Sequence, residues 1–210
     1  MTPEPGLDAR MDHYGVSPAL KKYFQECIAF HTYPAPGLLI GVFMTDFAVE
    51  LLGARPGEKL YAVCETSKCA PDPLQVILQC TYGNHRLRVF PIGKFAITVN
   101  RPSAAPVTEG VRVFIDPGKL QEYPLIRAWY TNDPSFRTGS MMNDLIDEIF
   151  RAGRNILSAE RVQVKVTPKQ KWHSSTCRVC GELVPADLLD DGICRGCGSM
   201  AYYEKTGQNR

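Results

Sequence analysis

The sequence predicts one main domain built from both helices and strands, followed by a small carboxy-terminal module folded around zinc. Three observations carry this reading. The 210 residues exceed the usual size of one domain, roughly 100–150 residues, yet fall short of two. Hydrophobic patterns of helical and of strand period alternate from residue 17 to residue 166. Two C-x2-C knuckles then lie close to the carboxy terminus.

Composition narrows the class. With 44% hydrophobic and 22% charged residues and a formal net charge of +2, the chain reads as an ordinary globular protein, without a basic footprint for nucleic acid or membrane. The amino terminus, MTPEPGLDARMDHYG, lacks the basic start and apolar run of a signal peptide, so a cytoplasmic protein is expected. The most apolar stretch, Gly37 to Gly53, holds Asp46 and Glu50 and is shorter than the about 20 residues a bilayer span requires. No membrane helix is expected. In a reducing compartment, eight cysteines point to metal or thiol chemistry rather than to disulfides.

Ser17-Pro18 opens a first helix, with Ser17 as N-cap and Pro18 at the first helical position, where its missing N–H costs nothing. Leu20, Tyr23, Phe24, Cys27 and Ile28 give that helix one buried face. After the break at 31–37, a second and more apolar helix is expected from about Leu38 to Leu52, closed by Gly53 and central in the core. Lys59–Glu65 reads as a buried strand, and Asp72-Pro73 opens a short helix to about Gln79. Strand-like runs follow at Leu87–Ile92, Lys94–Asn100 and Val111–Ile115, then helical patterns at about 119–130 and 140–157. Arg161–Val166 alternates as a half-buried strand does. The polar stretch Pro168 to Ser175 marks the boundary, giving domains 1–167 and 168–210.

In the second domain, Cys177-Arg-Val-Cys180 and Cys194-Arg-Gly-Cys197 stand 13 residues apart, close to a standard four-cysteine zinc spacing. Two residues between thiolates let one tight turn aim both sulfurs at one ion, and Gly181, Gly196 and Gly198 supply permissive backbone. A segment of about 30 residues buries too little core to fold alone, whereas structural zinc contributes on the order of 10–16 kcal/mol. Cys177, Cys180, Cys194 and Cys197 are therefore the expected ligands of a structural zinc, with no position open for water or substrate. His173 is a bystander. Arg178 and Arg195 make only a thin basic surface beside Asp187, Asp190 and Asp191, which argues against nucleic acid.

The main domain holds a second constellation. Cys27 and His31, four apart, would share one helix face, and Cys64, Cys69 and Cys80 could converge on the same pocket. Core packing is the competing reading for Cys27, Cys64 and Cys80, because free cysteine is among the most buried residue types. His31 and Cys69 fall in loop-like breaks, where sites concentrate. Cys69 precedes the helix opened by Asp72-Pro73, whose dipole is expected to favour the thiolate. Asp72 reads equally as a cap and as a chemical group.

The order Phe30-His31, Pro36-Gly37-Leu38, Gly41, Leu52-Gly53, Cys69-Ala-x-Asp72-x-x-Gln75-Val76 and Cys80-Thr81-x-Gly83 resembles the FmdE family, the small proteins associated with formylmethanofuran dehydrogenase. The second half is similar to two-domain members with a carboxy-terminal treble-clef zinc finger. The resemblance implies an α+β fold: a thioredoxin-like core with a mixed β-sheet flanked by helices, plus a small zinc finger of treble-clef or zinc-ribbon type. It also implies a homodimer and association with molybdenum or tungsten oxidoreductase subunits. Family members share an active site built from His-Gly-His-x-Cys-Pro-Gly and the later cysteine loop, where some hold zinc. Here that stretch reads His31-Thr-Tyr33-Pro-Ala35-Pro-Gly37. The residues carried over are His31 and Cys69, while Tyr33 and Ala35 replace two ligands, so the pocket is expected to be present without a metal.

The functional expectation is a zinc-binding accessory or small-subunit protein, with a thiol and histidine pocket and a zinc finger that docks a partner. A stand-alone thiol- or metal-dependent enzyme of anaerobic redox metabolism and a zinc-finger regulator are the alternatives.

Overall fold

The computed structural model describes residues 6–166, 171–204 and 206. These fall into two compact units, one ending at Val166 and the other starting, among the described residues, at Lys171. The expected boundary at Pro168 to Ser175 begins in residues 167–170, outside the described residues.

The first unit opens with a short helix α1 (Leu7–His13), which the hydrophobic pattern does not announce. It is held by Met11, which is fully buried, and by Arg10, whose guanidinium donates to the Asn143 carbonyl and pairs with Asp147 at 3.0 Å. Helix α2 (Pro18–His31) starts as expected, the Ser17 hydroxyl accepting the Leu20 N–H. Helix α3 (Pro36–Leu52) begins two residues earlier than its expected start, at the proline that fits the first turn, and ends on Gly53 at φ 63°. It is buried nearly all round, which is why its sequence is apolar on every face. Its one buried hydroxyl, Thr45, is satisfied by the Gly41 carbonyl at 2.8 Å.

Strand β1 (Tyr61–Cys64) leads to α4 (Pro71–Leu78), then to β2 (Leu87–Val89), β3 (Ala96–Asn100) and β4 (Val107–Ile115). Helices α5 (Pro124–Tyr130) and α6 (Thr138–Ala152) precede β5 (Leu157–Lys165). The five strands form one sheet in the order β2-β1-β3-β4-β5, with β1 and β2 parallel and the remaining pairs antiparallel. The first unit is thus an α+β domain with a mixed sheet flanked by helices. No helix among the described residues is long and apolar enough to cross a membrane.

One sheet face, with Val111, Val113 and Ile115, packs on α3 and is fully buried. On the opposite face the register aligns Val63, Thr98, Arg112 and Glu160 across four strands, and Arg112 bridges Glu65 and Glu160. Arg88 of β2 donates to the Lys165 carbonyl of β5 at 2.9 Å, so the two edge strands meet and the sheet is rolled. On its helical side, α3 is packed against α2, α4 and α6, with Phe24, Phe43 and Phe150 in edge-to-face contact at 5.0–6.4 Å between centroids. Helix α5 has no side-chain cap of its own. Buried Glu148 of α6 accepts the Ile126 N–H at 2.7 Å instead.

The second unit contains two hairpins, β6 (Ser174–Thr176) with β7 (Leu183–Pro185), and β8 (Leu189–Asp190) with β9 (Ile193–Cys194).

Candidate functional site

In the second unit, Cys177 and Cys180 lie in the loop of the first hairpin, and Cys194 and Cys197 stand at the end of the second. Each knuckle is a hydrogen-bonded turn: Gly181 N–H donates to the Cys177 carbonyl at 3.0 Å and Cys197 N–H to the Cys194 carbonyl at 2.9 Å. Gly181 adopts φ 76°, the left-handed backbone that lets the chain turn back into β7. The four sulfurs lie within 4.8 Å of one another, and Cys180 Sγ is 3.9 Å from Cys194 Sγ. A tetrahedron with metal–sulfur bonds of about 2.3 Å has sulfur–sulfur edges of about 3.8 Å. The spacing therefore fits four thiolates around one ion and is far too long for a disulfide.

The electrostatics fit the same reading. Backbone N–H groups of Cys194, Cys180 and Val179 point at the Cys177 sulfur and pull its pKa down to about 6. Cys194 and the other neighbouring thiols push Cys197 up to about 12, because thiolates this close repel unless a cation sits among them. All four donors are protein sulfurs, so the cluster could hold a metal ion with no open coordination position.

The first unit places its candidate residues around Asp72. His31 is the last residue of α2, and its Nδ1 lies 2.6 Å from Asp72 Oδ2. Asp72 caps nothing: α4 has Ala70 at its N-cap position and no side-chain cap. Its second oxygen instead accepts a hydrogen bond from Gln75 at 3.3 Å. Only the three-residue spacing of Asp72 and Gln75, which puts both on one side of α4, hints at this in the sequence. Tyr33 sets its ring 4.9 Å from that of His31 while remaining 58% exposed.

Cys69 is the neighbour of Asp72 on its other side, its carbonyl accepting the Asp72 N–H at 3.1 Å. No hydrogen bond joins the His31 and Cys69 side chains among the described residues, and Asp72 is their link. The expectation of an activated Cys69 thiolate is corrected here. Burial raises its pKa and the Asp72 charge adds to that, outweighing Lys68 and the Leu38 N–H of α3. The physical reason is that α4 begins Pro71-Asp72-Pro73, so two N–H groups of its first turn are missing and the third is already bonded.

Cys27, Cys64 and Cys80 are fully buried, and burial pushes their thiols to about 12, 11 and 11. The Cys80 thiol donates to the Leu60 carbonyl. They are core residues. Among the described residues, only the four carboxy-terminal cysteines bring three or more His, Cys, Asp or Glu donors within metal-binding reach of one another.

These two features define the class: an α+β domain carrying a histidine–carboxylate pair, with a four-cysteine module after it. The family model FmdE, described as "Molybdenum formylmethanofuran dehydrogenase operon", matches residues 30–165, and the chain belongs to that family. Its fold is shared with the crystal structure of an FmdE-like protein of tungsten formylmethanofuran dehydrogenase from Syntrophus aciditrophicus. The TM-score is 0.70 at 35% identity, over 88% of this chain and 95% of that one. A probable S-adenosyl-L-methionine-binding protein of Archaeoglobus fulgidus is 26% identical over 197 residues, covering 85% of this chain. The match takes in 53% of that protein, so this chain spans about half the length of the curated relative it matches.

Proposed function

We propose that this chain is a zinc-binding FmdE-like accessory or small-subunit protein. Its carboxy-terminal module is folded by one structural zinc and docks a partner, and its main domain presents a histidine and thiol pocket at His31 and Cys69. The observation that carries this is the cluster of Cys177, Cys180, Cys194 and Cys197, whose sulfurs lie at tetrahedral spacing. A closed four-thiolate site has no room for a substrate, so the zinc serves folding and the module's outer side chains serve recognition. Val179, Leu183, Met200 and Tyr202 of this module are each more than 60% exposed, which suits a protein partner.

The partner is part of a molybdenum or tungsten oxidoreductase. Support comes from the operon in the family's description and from the tungsten enzyme named for the Syntrophus aciditrophicus protein. The chain works as a homodimer in the cytoplasm. A second reading, a stand-alone enzyme, is favoured by the His31–Asp72 pair, whose 2.6 Å contact orients an imidazole as acid–base sites do.

Affinity purification of the full chain from native cells, read by mass spectrometry, tests the docking reading. The expected result is stoichiometric copurification of a molybdenum or tungsten oxidoreductase, lost when Cys194→Ser unfolds the module. Recovery of the chain alone under mild conditions contradicts it.

A further inference from the structure

The His31–Asp72 pair carries more than an orientation. An ionised carboxylate only accepts hydrogen bonds, so the proton in the 2.6 Å contact belongs to His31 Nδ1. A neutral imidazole has one N–H, which leaves Nε2 as a bare lone pair. That atom is buried and has no hydrogen-bond partner. A buried acceptor without a partner costs folding free energy, and such atoms persist where a ligand completes them.

The surrounding backbone is strained where it carries the pair. Thr32, directly after His31, has φ 77°, and Cys69, three residues before Asp72, has φ 45°. Left-handed backbone is costly for a β-branched residue and uncommon for cysteine, and strain of this kind gathers at ligand sites. The exposed Tyr33 ring stands beside the imidazole, between it and solvent on that side.

We propose that Asp72 is the positioning residue of this pocket: it fixes His31 as the Nδ1–H tautomer, so that Nε2 accepts the hydroxyl, thiol or N–H of a small protic ligand. This deepens the reading of a histidine pocket given above and rests on it. A metal fits less well, because no further pair of donors converges with His31 among the described residues. When the ligand's X–H bond donates to Nε2 and the proton crosses, X keeps the electron pair. The imidazolium then lies between X and the Asp72 carboxylate, with no other reactant required.

Side-chain 15N spectra of the full-length, 15N-labelled protein, at a pH where the imidazoles are neutral, decide the point. The expected spectrum has His31 protonated on Nδ1 and bare on Nε2. In Asp72→Ala the proton should redistribute to Nε2, while His13, His85 and His173 keep their signatures. If that variant fails to fold, the wild-type spectrum alone still decides, since a His31 protonated on Nε2 overturns the proposal. Titration with zinc chloride is the second arm. Zinc that fills the cysteine module and leaves the His31 Nε2 resonance in place agrees with a protic ligand; a further zinc that moves this resonance overturns it. Either failure would leave the partner copurification untouched, so the two readings fail separately.

Discussion

A Cβ added at Gly37 would stand 3.2 Å from Cys69 Cβ and 3.3 Å from its sulfur, so the first turn of α3 and the cysteine loop meet where only glycine fits. The contact repeats one turn on, where a Cβ at Gly41 would be 3.1 Å from Pro73 Cγ. These two glycines let α3 pass directly under the loop that carries Cys69 and the start of α4.

Gly37→Ala should therefore destabilise the protein, although alanine is the better helix former. Cys69 sits at φ 45° and Phe95 closes the other side at 3.3 Å, so neither neighbour yields freely. Overpacking of this kind costs about 1–3 kcal/mol. Urea denaturation checks it, and an unchanged or higher midpoint contradicts the packing described.

Cys69 should behave as a protonated thiol at neutral pH. Burial, with Asp72 beside it, holds its pKa above the ordinary thiol value. Alkylation by iodoacetamide, followed by peptide mapping across a pH series, should rise with an inflection above the about 8.5 of a free cysteine. An inflection below neutral pH would restore the activated thiolate that the position before α4 suggests from sequence.

Glu65 and Arg112 give a pH dependence of defined sign. Arg112 reaches Glu65 with Nε at 2.5 Å and a second nitrogen at 2.9 Å, and this pairing holds the carboxyl below its ordinary pKa. A carboxylate depressed in the folded state adds stability above its unfolded pKa and loses it as pH falls through the folded value. Glu65→Gln should thus cost on the order of 1–2 kcal/mol at neutral pH, with the gap to wild type closing below about pH 4. Unfolding curves at several pH values test this. A gap that stays constant into strong acid contradicts it.

What the sequence disclosed, and what it withheld, follows from how local each signal is. Ser17, Pro18 and Gly53 act within one turn of backbone, so the ends they set are legible without any tertiary information. The knuckles are local in the same way, since each C-x2-C pair aims two sulfurs by its own turn. Helix α1 was not legible, because a single buried Met11 and a long-range Arg10–Asp147 pair hold it rather than a repeating face. The role of Asp72 was hidden for the same reason. Its partner His31 lies 41 residues away, whereas its place beside Pro73 suggests a cap. The pKa of Cys69 went the other way from its expected direction because burial, which sequence position does not reveal, outweighs a helix start stripped of donors by Pro71 and Pro73.

The central claim is that Cys177, Cys180, Cys194 and Cys197 hold one zinc. X-ray absorption at the zinc edge, on protein purified without chelator and with its metal content measured on the same sample, tests it most directly. The predicted result is one zinc per chain surrounded by four sulfurs at about 2.3 Å, lost together with the module's structure in Cys194→Ser. A sample without zinc, or a zinc shell containing nitrogen or oxygen ligands, would contradict it.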